Sequence, residues 1–290
     1  MAEETPRLPG VFDRDTAVRR EGPSEQPRSG LRSVFSAEVA PNWRAGRGPH
    51  GGYLAAMLLR ALMQSVDDPL RSPRSLTIHY ARAPSEGPVS ITTVIERQGR
   101  SLSTLSARME QGGELIALVL AAFSVPWEGP EISELQMPDV APADAGRVPG
   151  TLFKAGAPPF TENIVLQHRI GGLPFRDREH PMLIGGWMGL AEPRPLDAPA
   201  IAFFCDALIP APFMRTGQPA PAPTIDLTVH FRMPMPREAD PDPHELCLVQ
   251  TQTSLVQEGF FEEDCLIWAA DGTLLAQSRQ LALLMHPPIG

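Results

Sequence analysis

The sequence predicts an α+β fold built twice, in which two curved antiparallel sheets each wrap around a buried helix. The first observation is a repeat: Ser75-Leu76-Thr77-Ile78-His79-Tyr80 recurs as Asp226-Leu227-Thr228-Val229-His230-Phe231, and Gly113-Glu114-Leu115-Ile116-Ala117 recurs as Gly272-Thr273-Leu274-Leu275-Ala276. The offsets, 151 and 159 residues, agree to within an indel, so one order of elements is used twice. The second is the run from Tyr53 to Leu62, a helix apolar on nearly every face that must be surrounded. About 14 residues at 1.5 Å each give a rod about 21 Å long, which a strongly curved sheet can wrap.

In the first copy a strand over Ser33–Val39 precedes the helix, which ends before Asp67-Asp68-Pro69. Strands follow at Ser75–Ala81, Val89–Gln98, Leu102–Met109 and, after the turn Gln111-Gly112-Gly113, Glu114–Val125. The stretch 128–160, rich in Pro, Ala and acidic residues and without periodicity, reads as a linker between a first unit over 31–127 and a second over 161–290. The second copy offers strands at Asn163–Ile170 and Ile184–Leu190. Its helix spans Ala198–Leu208, capped by Asp197 with Pro199 in its first turn. Antiparallel strands over Thr224–Met233, Glu245–Leu255, Glu262–Ala269 and Thr273–Met285 complete it, the last two joined by Asp271-Gly272.

Composition bounds the function. With 290 residues and 42% hydrophobic content the chain can bury a sizeable core, and its net charge of −9 argues against a nucleic-acid partner held by bulk electrostatics. Cys205, Cys247 and Cys265 are odd in number and lack CxxC spacing, so they read as reduced, buried thiols. No run approaches the roughly 20 apolar residues of a membrane span. Residues 1–30 lack an apolar h-region and read as a flexible N-terminal arm, and a cytoplasmic location is expected.

The order of elements, the Pro49-His50-Gly51-Gly52-Tyr53 helix entry, the Thr224-Ile225-Asp226-Leu227-Thr228-Val229-His230-Phe231 strand and the closing run from Gly272 to Gln280 resemble the double-hotdog acyl-CoA thioesterases, the type II group. The resemblance covers about Ser33 to Met285. It implies hydrolysis of acyl-CoA thioesters by a water held by an Asp, a hydroxyl residue and a Gln, with acyl-CoA as the partner and neither metal nor other cofactor required. Asp206, Thr224 and Gln280 match those three positions.

Each type suits its implied role: a carboxylate accepts the water's proton, a hydroxyl donates, and an amide offers both donor and acceptor. All three lie in the second copy; the first has no acid between Tyr53 and Val66 and has Ala121 in place of Gln280. Gln277 lies close enough to leave the register of Gln280 open. His50, Gly51, Gly52 and Tyr53 form the other candidate site, for substrate. Glycines at a helix start permit close approach, and the Gly52 and Tyr53 amides, with the helix dipole, suit a developing oxyanion. His50 reads equally as a substrate contact or a helix cap. His79 and His230, at matching places, read as structural, and Arg44, Arg47, Arg97 and Arg100 as solvated rather than phosphate-binding.

Two other functions fit the pattern. A hotdog enoyl-CoA hydratase or dehydratase would use His50 with an acid partner that the sequence does not reveal, and a non-catalytic module would bind acyl-CoA without turnover. Because the two candidate groups come from different copies, one competent site per chain is expected between them. A homo-oligomer is left open, as is the acyl group.

Overall fold

A computed structural model describes residues 10–23, 25–148, 156–176 and 179–285. The first half runs α1 (Val11–Asp15), β1 (Arg19–Glu21), β2 (Arg32–Val39), β3 (Arg44–Ala45), β4 (Gly48–Pro49), α2 (Gly51–Val66), β5 (Ser72–Tyr80), β6 (Gly87–Gln98), β7 (Leu102–Gln111) and β8 (Glu114–Ser124). The second runs β9 (Ile164–Ile170), β10 (Leu183–Leu190), α3 (Ala198–Phe204), β11 (Thr224–Phe231), β12 (Cys247–Gln252), β13 (Val256–Gln257), β14 (Phe260–Trp268) and β15 (Leu274–Leu283).

The strands do not close into two separate sheets. Apart from the β3–β4 pair they form one 13-stranded sheet in the order β1-β2-β6-β7-β8-β5-β11-β15-β14-β12-β10-β9, with β13 on β14. Separate sheets would leave β5 and β11 as exposed edges, and pairing them removes both. That seam is self-complementary: Thr77 lies opposite Thr228, Leu76 opposite Val229 and Ile78 opposite Leu227. Thr77 faces its own counterpart in the repeat, so a local twofold axis passes between the two, and their hydroxyls are hydrogen-bonded at 3.1 Å. His79 and His230 are exposed on the outer face of this seam.

α2 buries Gly52 through Leu59 together with Ala61 and Leu62, as its apolar circumference requires. It packs on α3, where a Cβ at Gly52 would come within 2.5 Å of the Phe203 carbonyl oxygen, so only glycine admits this approach. Asp197 caps α3 by accepting from the Ala200 N–H at 2.9 Å. α3 stops at Phe204 rather than Leu208. The Asp206 and Ala207 amides bond the Phe203 and Phe204 carbonyls three residues back, tightening the chain into a turn ahead of Pro210.

The expectation of a flexible arm fails for residues 10–23. Phe12 sits 5.7 Å from the Trp43 ring and 5.8 Å from Phe203, and the Asp15 carboxylate accepts from Trp43 Nε1 and Asn42 Nδ2, each at 2.9 Å. Residues 1–9 lie outside the described set. Residues 128–148 of the connector have no helix or strand yet are fastened to the second half: Trp187 Nε1 donates to the Ala141 carbonyl at 2.9 Å, and Met137 and Val140 pack on Trp187, Leu248 and Trp268. The connector's residues 149–155 are not described, and a short 3-10 helix over Pro159–Asn163 begins at its other end. Cys205, Cys247 and Cys265 are unpaired and buried. Among the described residues no helix is long and apolar enough to cross a membrane.

Candidate active site

Along β11 the side chains of Leu227, Val229 and Phe231 are buried, and strict alternation would put Thr224 on the opposite face with Asp226 and His230. A bulge between Thr224 and Asp226 breaks the alternation: Thr224 lies opposite Ala282 while Asp226 lies opposite Leu281. Thr224 is thereby turned to the inner face. There its hydroxyl donates to Gln280 Oε1 at 2.9 Å. On β15 the inner face carries Ser278, Gln280 and Ala282, whereas Gln277 belongs to the other set, which settles the register between the two glutamines.

Asp206 reaches the same point from the turn after α3. Thr224 Oγ1 is 3.4 Å from Asp206 Oδ1, and the Gly52 N–H donates to Oδ2 at 2.8 Å. A carboxylate, a hydroxyl and an amide from three separate stretches therefore share one hydrogen-bond network beside the start of α2. A Cβ at Gly51 would fall 2.7 Å from Asp206 Oδ2, so the paired glycines admit the carboxylate to the helix end.

One expectation at this end changes. The Gly52 N–H is engaged by Asp206 and is not an open oxyanion donor, because the carboxylate already occupies the positive end of the helix. The donor expected of Tyr53 is its backbone N–H, and the burial of its side chain leaves that expectation untouched: the ring stacks on Trp43 at 5.3 Å, and its hydroxyl donates to the Asp15 carbonyl at 2.8 Å while accepting from the Ala40 N–H at 3.1 Å. It anchors the N-terminal segment. His50 stands at the cap position of α2 without a capping bond, its ring 4.2 Å from Phe160 and 5.1 Å from Phe203. Its Nδ1, buried and without a hydrogen-bond partner, lies 3.7 Å from Asp206 Oδ2. Burial pushes the imidazole below its usual pKa against the opposing pull of Asp206, which favours its neutral form.

Two residues of this cluster went unread in the sequence. The Tyr80 hydroxyl donates to the Gly51 carbonyl at 2.9 Å and fixes the first turn of α2 from below. Glu263 is buried, accepts from Gln280 Nε2 at 3.0 Å and accepts from the Ala211 N–H at 2.7 Å. Its signal was a carboxylate in phase with Phe261, Cys265 and Ile267, the buried residues of β14.

Burial, chiefly, pushes the Glu263 carboxyl up to about 7. The folded state then holds that proton more tightly than the unfolded chain. Its contribution to stability is complete below the unfolded pKa of 4.5 and is lost as pH rises through about 7. The total change is on the order of 3 kcal/mol. Glu263→Gln should abolish that fall in denaturant titrations between about pH 5 and pH 8. Equal slopes in wild type and variant would refute it.

Two grooves lie elsewhere. One of about 630 Å³ borders Phe12, Asp13, Glu162, Glu192 and Arg194, and another of about 560 Å³ lies on the outer sheet face near His79, Arg108, Leu118 and Leu120. Asp206, Thr224 and Gln280 line neither. Concavity alone assigns no chemistry, whereas the converging polar groups do.

The acyl-CoA thioesterase C-terminal domain matches residues 136–284 and the acyl-CoA thioesterase N-terminal domain matches residues 39–124. The chain belongs to the acyl-CoA thioesterase family and is a thioester hydrolase. A hot dog fold protein of unknown function from Alicyclobacillus acidocaldarius is 27% identical, with TM-score 0.83, covering 97% of this chain and 100% of that one. A candidate thioesterase II from Thermobifida fusca is 26% identical, with TM-score 0.75, covering 95% and 98%. An uncharacterised protein of Mycobacterium tuberculosis is 25% identical over 286 residues, covering 87% of this chain and 91% of its own. The fold is a hotdog fold dominated by one large antiparallel sheet.

Proposed function

We propose that the chain hydrolyses acyl-CoA to free acid and coenzyme A through a water held by Asp206, Thr224 and Gln280. The observation that carries this reading is the hydrogen-bond network joining those three side chains at the N-terminus of α2. Asp206 takes a proton from the water as it attacks the thioester carbonyl carbon, while Thr224 and Gln280 orient it. The C–S bond then breaks, and the thiolate, whose conjugate acid has a pKa near 8.5, leaves without a strong acid. With the Gly52 N–H engaged by Asp206, the Tyr53 N–H of the same first turn is left to donate to the developing oxyanion.

In this reading the chain is a double hotdog, with units at 31–127 and 161–290 joined by 128–160, and each half of the sheet wraps its own helix. The acid, hydroxyl and amide come from the second unit and the glycines from the first, so one site forms per chain. Titration with a non-hydrolysable acyl-CoA thioether should give one equivalent per chain, and two equal sites would contradict it.

One observation favours a second chemistry: the 3.7 Å approach of His50 to Asp206 supplies the acid partner a hydratase would need. Incubation with an acyl-CoA panel and with an enoyl-CoA separates the two. Free thiol from acyl-CoA supports hydrolysis. Loss of enoyl absorbance with no thiol released would overturn it in favour of hydration.

A further inference from the structure

We propose that Glu263 is a positioning residue for Gln280, holding its side-chain amide with the oxygen toward Thr224 and so setting the direction of the hydrogen bonds around the attacking water. The role of Gln280 itself rests on the thioesterase reading above.

The repeat supplies the first argument. Ala121 pairs with Leu76 and Leu105 in the first half as Gln280 pairs with Leu227 and Glu263 in the second. Both halves also carry the same bulge, with Pro73 where the second has Thr224. The first half thus places Pro73, Leu105 and Ala121 where the second places Thr224, Glu263 and Gln280. Leu105 is fully buried, so the fold is satisfied by an apolar side chain at this position. A carboxyl there incurs desolvation that packing does not demand, and it appears only beside Gln280.

Hydrogen-bond direction supplies the second. Ionised Glu263 can only accept, and it does so from Gln280 Nε2 and the Ala211 N–H. Gln280 must then turn Oε1 toward the Thr224 hydroxyl, as is found. A protonated Glu263 must donate, and Gln280 Oε1 is the acceptor within reach, so protonation favours the flipped amide with its NH₂ toward Thr224. Asp206 from the turn after α3, and Glu262 and Cys265 from its own strand, are the titratable groups around Glu263, and the carboxylates Asp206 and Glu262 push its carboxyl the same way as burial. The switch from one amide orientation to the other falls near neutral pH.

The test compares full-length wild type with Glu263→Gln and Glu263→Asp. Glu263→Gln keeps an acceptor for the Ala211 N–H but presents NH₂ to Gln280, mimicking the protonated acid. With the best acyl-CoA of a panel, it should lower kcat about tenfold with KM within about twofold, and remove an acidic limb near pH 7 that Glu263→Asp retains. Independently of activity, the Gln280 side-chain amide signal of ¹⁵N-glutamine-labelled protein, assigned by its loss in Gln280→Leu, should titrate near pH 7 in wild type and not in Glu263→Gln. Absence of that titration, or unchanged kcat and pH profile in an active Glu263→Gln, overturns the proposal. If wild type releases no thiol from any acyl-CoA, the hydrolase reading fails by itself and the Gln280 titration still decides the positioning.

Discussion

Asp206→Asn should lower the rate of thiol release from acyl-CoA by about 10² or more, the usual contribution of a positioned general base. The substitution is nearly isosteric, and its carbonyl oxygen can still accept the Gly52 N–H now bound to Asp206 Oδ2 at 2.8 Å. What is lost is the capacity to take a proton from water. Because that transfer occurs only on the way to the transition state, kcat and kcat/KM should fall together while KM changes little. Thermal unfolding should move by no more than a few degrees, since the amide keeps the packing. An Asn variant that matches the wild-type rate would remove Asp206 from the mechanism.

The second large effect lies at Gly52. Alanine stabilises an ordinary helix position by roughly 0.5–1 kcal/mol over glycine. Here the new Cβ would stand 2.5 Å from the Phe203 carbonyl oxygen and 3.1 Å from both its carbon and His50 Cε1. The nearest of these is backbone of the packed helix α3 and cannot rotate away. The start of α2 must shift instead, at a cost of about 1–3 kcal/mol that outweighs the propensity gain. The same shift pulls the Gly52 N–H off Asp206, so thiol release by the folded fraction should drop at least tenfold. Denaturant unfolding and single-substrate kinetics read both effects. A Gly52→Ala protein more stable than wild type and equally active would show that the two helices do not meet this closely.

The duplication, the buried α2 and most strands were legible because periodicity and repeated segments are local signals. The three members of the proposed triad were legible through their resemblance to the type II group and through the difference between the copies, Ala121 against Gln280. Four features were not. Thr224 reaches the inner face only through a bulge, and parity along the strand argues the reverse. The end of α3 at Phe204 depends on bonds three residues back that precede the proline-rich turn, a boundary that composition places only to within a few residues. The fate of the Gly52 amide depended on how far a carboxylate 154 residues away would reach, and no one-dimensional spacing gives that distance. The same holds for the N-terminal segment, whose polar composition hid the contacts of Phe12 and Asp15.

Glu263 illustrates a different kind of omission. It sits in the sequence Phe261-Glu262-Glu263-Asp264-Cys265, where three consecutive acids suggest a solvated face. In the sheet, alternation exposes Glu262 and Asp264 more than Glu263, which points inward to Gln280. A period-two reading against Phe261 and Cys265 identifies it.

The most direct measurement is a high-resolution crystal structure of the protein with a non-hydrolysable acyl-CoA thioether. One ligand per chain should lie against the start of α2, with a water within hydrogen-bonding distance of the Asp206 carboxylate, the Thr224 hydroxyl and the Gln280 amide. A ligand seated away from these three side chains, or two ligands at places related by the repeat, would contradict the single site assembled from both halves.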